Sequence, residues 1–305
     1  METIKQLLQR PDDNGNTAKI FAEVFADPDV QKFLADHQDQ LSDDDIRRGR
    51  SKLYEYVHEK HLIENGAPSV APGYTPRLVI SAKQIDVTYV PTAQLREQQA
   101  LQAKRQRVTK RYMPKFIENA SLDNFSTGEQ GRTAALNAAV KFVNQYTQDQ
   151  NEFIPGLYLS GSFGVGKTYL LGALANELAE NGINSMLVHF PTFAVNMKGS
   201  ISRGTTDQER DAVKTAPILM LDDIGADALS PWLRDEVLGV ILEYRMQAEL
   251  PTFFSSNFSM DELTDHLAQD NVGNVEPIKA QRIMERIRFL SREVQIIGPN
   301  LRQKG

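Results

Sequence analysis

Eight consecutive residues, Gly161-Ser162-Phe163-Gly164-Val165-Gly166-Lys167-Thr168, have the types and spacing to hold a triphosphate. They match G-x-x-x-x-G-K-[ST] and stand between an apolar run, Leu157-Tyr158-Leu159, and a helical pattern from Tyr169 to about Glu180. The glycines let the backbone turn its N–H groups toward phosphate oxygens, a path closed to most runs that carry Cβ atoms. Lys167 is expected against the β- and γ-phosphates and Thr168 on Mg2+, with the helix N-terminus adding its dipole. Gly161 through Thr168, and Tyr169 after them, are the candidate nucleotide-binding residues.

Further along, Ile218-Leu219-Met220-Leu221 reads as a strand buried on both faces. It delivers Asp222 and Asp223 at its carboxyl end, where ligands bind in open α/β sheets. Asp222 is expected in the Mg2+ shell and Asp223 on the attacking water. A third strand, Thr252-Phe253-Phe254-Ser255, ends in Ser256-Asn257. The neutral amide of Asn257 can bond both a water and a phosphate oxygen without competing for the metal. A cap on the helix starting near Met260 is the other reading of Asn257. Arg282 and Arg286, four apart, share one helix face and could set a guanidinium at a γ-phosphate; a solvated basic face is the alternative. Only eight residues follow the last predicted strand, too few for a helical lid. An open site of that kind is expected to take an arginine from a neighbouring subunit.

These groups need a scaffold. Strands at 157–160, 185–190, 217–222, 251–255 and 293–297 alternate with helices, which predicts an α/β domain over 116–305 with a five-stranded parallel sheet. Residues 1 to about 63 read as helical. Ser42 caps Asp43-Asp44-Asp45, and Ile46, Leu53, Tyr54 and Val57 form an apolar stripe. Residues 78–80 and 85–90 read as a hairpin, so 1–95 is expected to form a small helical/β domain. Between the domains, 96–115 holds seven basic residues and the single acid Glu97. That is a net charge of +6 within a chain whose total is −6. The segment reads as an exposed basic linker helix able to meet nucleic acid or an acidic protein surface; a solvated linker fits equally well.

Composition narrows the class. At 305 residues, with 41% hydrophobic and 24% charged positions, the chain is a globular protein with room for two domains. No apolar run is long enough to span a membrane, and Met1-Glu2-Thr3-Ile4-Lys5-Gln6 lacks the core of a signal peptide. Cysteine is absent, which excludes disulfides and thiolate metal sites and suits a reducing, cytoplasmic setting.

An additional strand between the phosphate-loop strand and the Asp-Asp strand, with the terminal asparagine, resembles an AAA+ P-loop ATPase. The chain also resembles primosomal helicase loaders of the DnaI type, relatives of DnaC. The likeness is carried by Tyr112-Met113-Pro114-Lys115, Ser160 to Thr168, Met220 to Ala226, Trp232 to Val237, Leu250 to Phe258 and Ile283 to Arg286. The resemblance implies an ATP- and Mg2+-dependent loader whose N-terminal domain grips the hexameric replicative DNA helicase. Its ATPase domain would contact single-stranded DNA, self-associate on the helicase and work with other primosome or initiation proteins. By the same resemblance Asp222 and Asp223 are the acidic pair, Asn257 a sensor, and Arg282 or Arg286 the arginine acting in trans. Family members commonly carry a cysteine–histidine zinc site after the long N-terminal helix. Here that position reads Asn65 to Gly73, and His58 and His61 alone cannot replace the thiolates, so no structural zinc is expected. Lys198, Ser200, Ser202 and Arg203, read as a Gly-flanked loop, are candidates for DNA contact. Two other readings stay open: a transposition-helper ATPase acting on DNA, and an adaptor switched by nucleotide with little turnover. The N-terminal residues lack the basic helix-turn-helix character of a DNA-targeting module.

Overall fold

The computed structural model describes residues 15–128 and 130–301 and divides into two compact units, Met1–Leu101 and Gln102–Gly305. The helical reading of residues 1–14 lies outside the described residues.

The first unit begins with α1 (Gly15–Ala26), α2 (Pro28–Asp36), α3 (Asp43–Arg48) and α4 (Arg50–Glu64). Ser42 caps α3 in a reciprocal box with Asp45, as its position before three acids predicts. The expected apolar stripe is interrupted at Gly49, where Ile85 packs so close that a Cβ would lie 2.8 Å from it. Leu53 and Val57 beyond the break are buried, whereas Tyr54 faces outward and stacks on His58. The hairpin forms from β1 (Tyr74–Ser81) and β2 (Gln84–Pro91), paired antiparallel around Ala82-Lys83, both at positive φ. That is the two-residue turn whose twist suits a hairpin, built here without Asn or Gly. Where a zinc site was not expected, the buried carboxylate of Glu59 accepts from the Val70 N–H at 3.0 Å and closes the loop after α4.

The basic segment is not one helix. Helix α5 (Ala93–Arg107) ends at Arg107, and Val108–Arg111 continues as β3, parallel to β5 (Ser185–His189). The sheet therefore has six strands where five were expected, and the sixth comes from the predicted linker. Lys110 and Arg111 on an edge strand hide it from a periodicity reading, yet such charges are how edges avoid further pairing. Three of the segment's seven basic residues pair within this unit: Lys104 with Glu180, Lys110 with Glu118 and Arg111 with Glu209.

The remaining strands are β4 (Gly156–Ser160), β6 (Ile218–Asp222), β7 (Thr252–Ser256) and β8 (Ser291–Gln295). The order is β3-β5-β6-β7-β4-β8, with every pairing parallel. Strands β4, β6 and β7 are buried throughout, and their alternation feeds two cores. Leu157, Leu159, Met220 and Phe253 join one core with α6 (Gln130–Gln148) and α7 (Lys167–Glu180). Tyr158, Leu219, Leu221 and Phe254 join the other with α8 (Phe190–Arg203), α10 (Gly239–Gln247) and α12 (Pro277–Leu290). Between these lie α9 (Thr206–Lys214) and α11 (Met260–Ala268). The segment read as a DNA-facing loop is the helix α8. Within it Ser200 is fully buried, bonded to Met197 O and Thr206, so it drops out as a DNA contact.

Candidate nucleotide-binding site

Strand β7 lies between β4 and β6, so the carboxyl ends of three neighbouring strands carry the phosphate loop, Asp222-Asp223 and Asn257 to one place. Apolar residues on both faces hold the bodies of these strands in the two cores, and the polar residues at their carboxyl ends, Ser160, Asp222, Ser255 and Ser256, are buried as well. They open on a cleft of about 670 Å3.

The loop needs its glycines, since Gly161, Gly164 and Gly166 stand at φ of 149°, 76° and 104°. Gly166 leads directly into α7, whose first residue, Lys167, is only 7% exposed. Its ammonium donates to Gly161 O at 2.7 Å, Ser162 O at 2.9 Å and Asn257 Oδ1 at 2.8 Å. A cation held over the loop's own carbonyls is poised to exchange them for phosphate oxygens.

Asp222 is 2% exposed, and burial pushes its carboxyl above the ordinary value of 3.8. Two hydroxyls work against that shift. Ser255 Oγ donates at 2.6 Å, and Thr168 Oγ1 lies at 2.9 and 3.1 Å from the two carboxylate oxygens. Asp223 sits at φ 61°, outside the strand, with its N–H on Ser255 Oγ at 2.9 Å. There its carboxylate accepts from Asn257 Nδ2 at 3.2 Å. The capping alternative for Asn257 is not realised: Ser259 caps α11 in a box with Glu262. Asn257 instead bridges the ammonium of Lys167 and the carboxylate of Asp223.

Thr168 and Asp222 fit Mg2+ on the chemistry of their atoms. Both offer hard oxygens, and the buried carboxylate is met by hydroxyls alone, so a divalent cation there would offset the cost of burying its charge.

Arg282 and Arg286 do not reach the cleft of their own chain. Arg282 is exposed on α12. Arg286 is held against α10, pairing with Glu243 at 2.5 Å and donating to Gly239 O at 3.0 Å.

Several residues of the cleft escaped the sequence reading. Ser255 is one, although a serine pair closing an apolar strand was visible. His189 ends β5 in register with Asp222 and bonds Thr192 at 2.8 Å. At the other end of the cleft stand Tyr112, Phe116, Phe125 and Arg132. Arg132 is 2% exposed and lies over the Phe125 ring at 5.0 Å, its Nε donating to Ser126 O at 2.7 Å. That aromatic wall is fastened to α7 by Asn176, which donates to Ile117 O and Ala120 O, and by the Ser121 N–H on Tyr169 Oη. It suits a nucleobase, with a flat apolar face to stack on and polar groups at the edge. Nothing in the string Tyr112-Met113-Pro114 itself shows this role; only folding brings it to the phosphate loop.

Residues 1–89 match the family model described as the primosomal protein DnaI N-terminus, and residues 117–263 match that of the bacterial DnaA ATPase domain. The replicative helicase loader DnaI of Bacillus subtilis (strain 168) is 36% identical over 311 residues, covering 99% of both chains. The crystal structure of the DnaI superposes with a TM-score of 0.58 at 44% identity, over 65% of this chain and 98% of that one. The crystal structure of the DnaC helicase loader gives a TM-score of 0.50 over 60% of this chain and 100% of that one. At 24% identity that likeness speaks for the fold alone.

Proposed function

The chain belongs to the DnaI family of replicative helicase loaders, and from that premise we propose that it binds the hexameric replicative helicase and places it on single-stranded DNA under the control of ATP. Its second unit is an ATPase domain of the AAA+ type. One observation carries the reading of the site. Lys167 and Thr168 of the loop, Asp222 and Asp223 of β6 and Asn257 of β7 form one continuous hydrogen-bonded set with Ser255.

In this reading Gly161 to Tyr169 cradle the phosphates, and Lys167 trades its carbonyl partners for β- and γ-phosphate oxygens. Thr168 and Asp222 hold Mg2+, which supplies neutralisation of the phosphate charge. Asp223 and Asn257 orient the attacking water. Asp223, at φ 61°, gives its carboxylate to Asn257 while Asp222 is met by Thr168 and Ser255, so one acid serves the metal and the other the water. Arg282 or Arg286 acts on the cleft of a neighbouring copy. Arg286 must first leave Glu243 to do so, whereas Arg282 is already exposed. Residues 1–95 serve as the helicase-binding adaptor, and DNA contact falls to exposed residues of the ATPase unit such as Lys198 and Arg203. The transposition-helper and low-turnover adaptor readings draw no support from relatives named as helicase loaders.

The test is ATP hydrolysis by wild type and Lys167→Ala, each alone, with single-stranded DNA and with the replicative helicase, while co-elution with the helicase is followed. Turnover that needs Lys167, and a helicase complex that is lost when residues 1–95 are deleted, are expected. DNA-driven turnover with no helicase complex would overturn the loader reading.

A further inference from the structure

After β8, residues 296–301 stay on the domain. Ile296 is 1% exposed, and its N–H donates to Ser160 O at 2.7 Å, extending the pairing beside β4. The next residues pass so close to the start of α6 that a Cβ on Gly131 would lie 2.8 Å from the Ile297 nitrogen. The chain then crosses the phosphate loop. A Cβ on Gly164 would overlap the side-chain amide of Asn300, and the Leu301 N–H donates to Gly164 O at 3.0 Å. Leu301 thereby becomes part of the cleft wall, 37% exposed, on the loop that also presents Phe163 at 68% exposed.

Two apolar side chains thus stand open at the rim of a polar phosphate site, Phe163 largely and Leu301 over about a third of its surface. A ligand in the cleft would cover them. The backbone bond matters because it fixes the strap to the element that must adapt to phosphate, so the wall is set by the loop itself.

We infer, resting on the nucleotide reading above, that residues 297–301 form a strap closing one side of the nucleotide cleft. Leu301 is the residue that contacts bound nucleotide and slows its release. The strap acts on residence of the nucleotide, not on the bond-breaking step, so its removal shows in dissociation rates.

The experiment uses the full-length protein with Mg2+ and ADP carrying a fluorescent N-methylanthraniloyl group, chased with unlabelled ADP. Wild type is compared with a deletion of residues 299–305, with Leu301→Ser and with Lys167→Ala, and thermal unfolding without nucleotide checks that each variant is folded. Loss of the contact of one leucine predicts release roughly fivefold faster in both strap variants, at an unchanged unfolding midpoint. Release within about twofold of wild type in folded Leu301→Ser overturns the strap, while binding that still requires Lys167 leaves the nucleotide site standing. Should the deletion fail to fold, Leu301→Ser decides alone. Labelled ADP bound equally well by Lys167→Ala overturns the nucleotide reading, and the strap with it.

Discussion

Replacing Ser255 by alanine removes one hydroxyl that serves both acids of the site. Its proton goes to Asp222 Oδ1 at 2.6 Å, and its oxygen takes the Asp223 N–H at 2.9 Å. Ser255 is 1% exposed, so solvent does not readily replace the lost group. A hydrogen bond to a buried charge contributes about 1.5–3 kcal/mol, and an orphaned backbone donor costs about 1–3 kcal/mol. Because the open cleft lets water reach Asp223, the lower part of that sum applies, roughly 3 kcal/mol. For a unit of this size that is a fall in unfolding midpoint of roughly 6–12 °C. The chain's single tryptophan, Trp232, lies in the same unit, so fluorescence-detected urea unfolding in EDTA reads the change directly. The pH dependence carries the sign. Burial raises the Asp222 carboxyl in the folded state, so its contribution to stability is full below the ordinary value of 3.8 and is lost as pH rises through the folded value. Ser255 is one of the two hydroxyls holding that rise in check, so the variant loses more than wild type at neutral pH and the gap narrows on acidification. A loss below about 1 kcal/mol at neutral pH, or one that does not change with pH, would refute the electrostatic account of this cluster.

Lys167→Ala is expected to abolish nucleotide binding in equilibrium titration while leaving the fold intact; the bonds it gives up include those to Gly161 O, Ser162 O and Asn257 Oδ1, and Asn257 keeps its bond to Asp223. Arg286→Ala should lower unfolding stability by about 1 kcal/mol through loss of its half-buried pair with Glu243 and its bond to Gly239, and Arg282→Ala by less than about 0.5 kcal/mol. If one of them acts in trans, that variant alone loses helicase-stimulated hydrolysis while keeping basal nucleotide binding. Elemental analysis should find no stoichiometric zinc, and Glu59→Ala should speed proteolysis of the 65–73 loop, because its carboxylate closes that loop at Val70. Stoichiometric zinc, or a loop equally resistant in the variant, would count against this view of the N-terminal unit.

What was legible in the sequence was local. The phosphate loop, its flanking strand and helix, and the acids at the end of an apolar run are written in contiguous residues, because a glycine's freedom and a strand's alternation act over a few positions. The cap at Ser42 was legible for the same reason. Only the tertiary structure decided which of these groups meet. The insertion of β7 between β4 and β6 sets Asn257 on both Lys167 and Asp223, and it puts Ser255 beneath both acids. The sixth strand was illegible because Val108–Arg111 is an edge whose charges mask its pairing, whereas the hairpin around Ala82-Lys83 was legible from the β-rich runs on either side of its turn. Sequence determined what chemistry the chain can do. The order of strands in the sheet, a property of long-range packing that no local pattern encodes, decided where that chemistry is assembled and what closes over it.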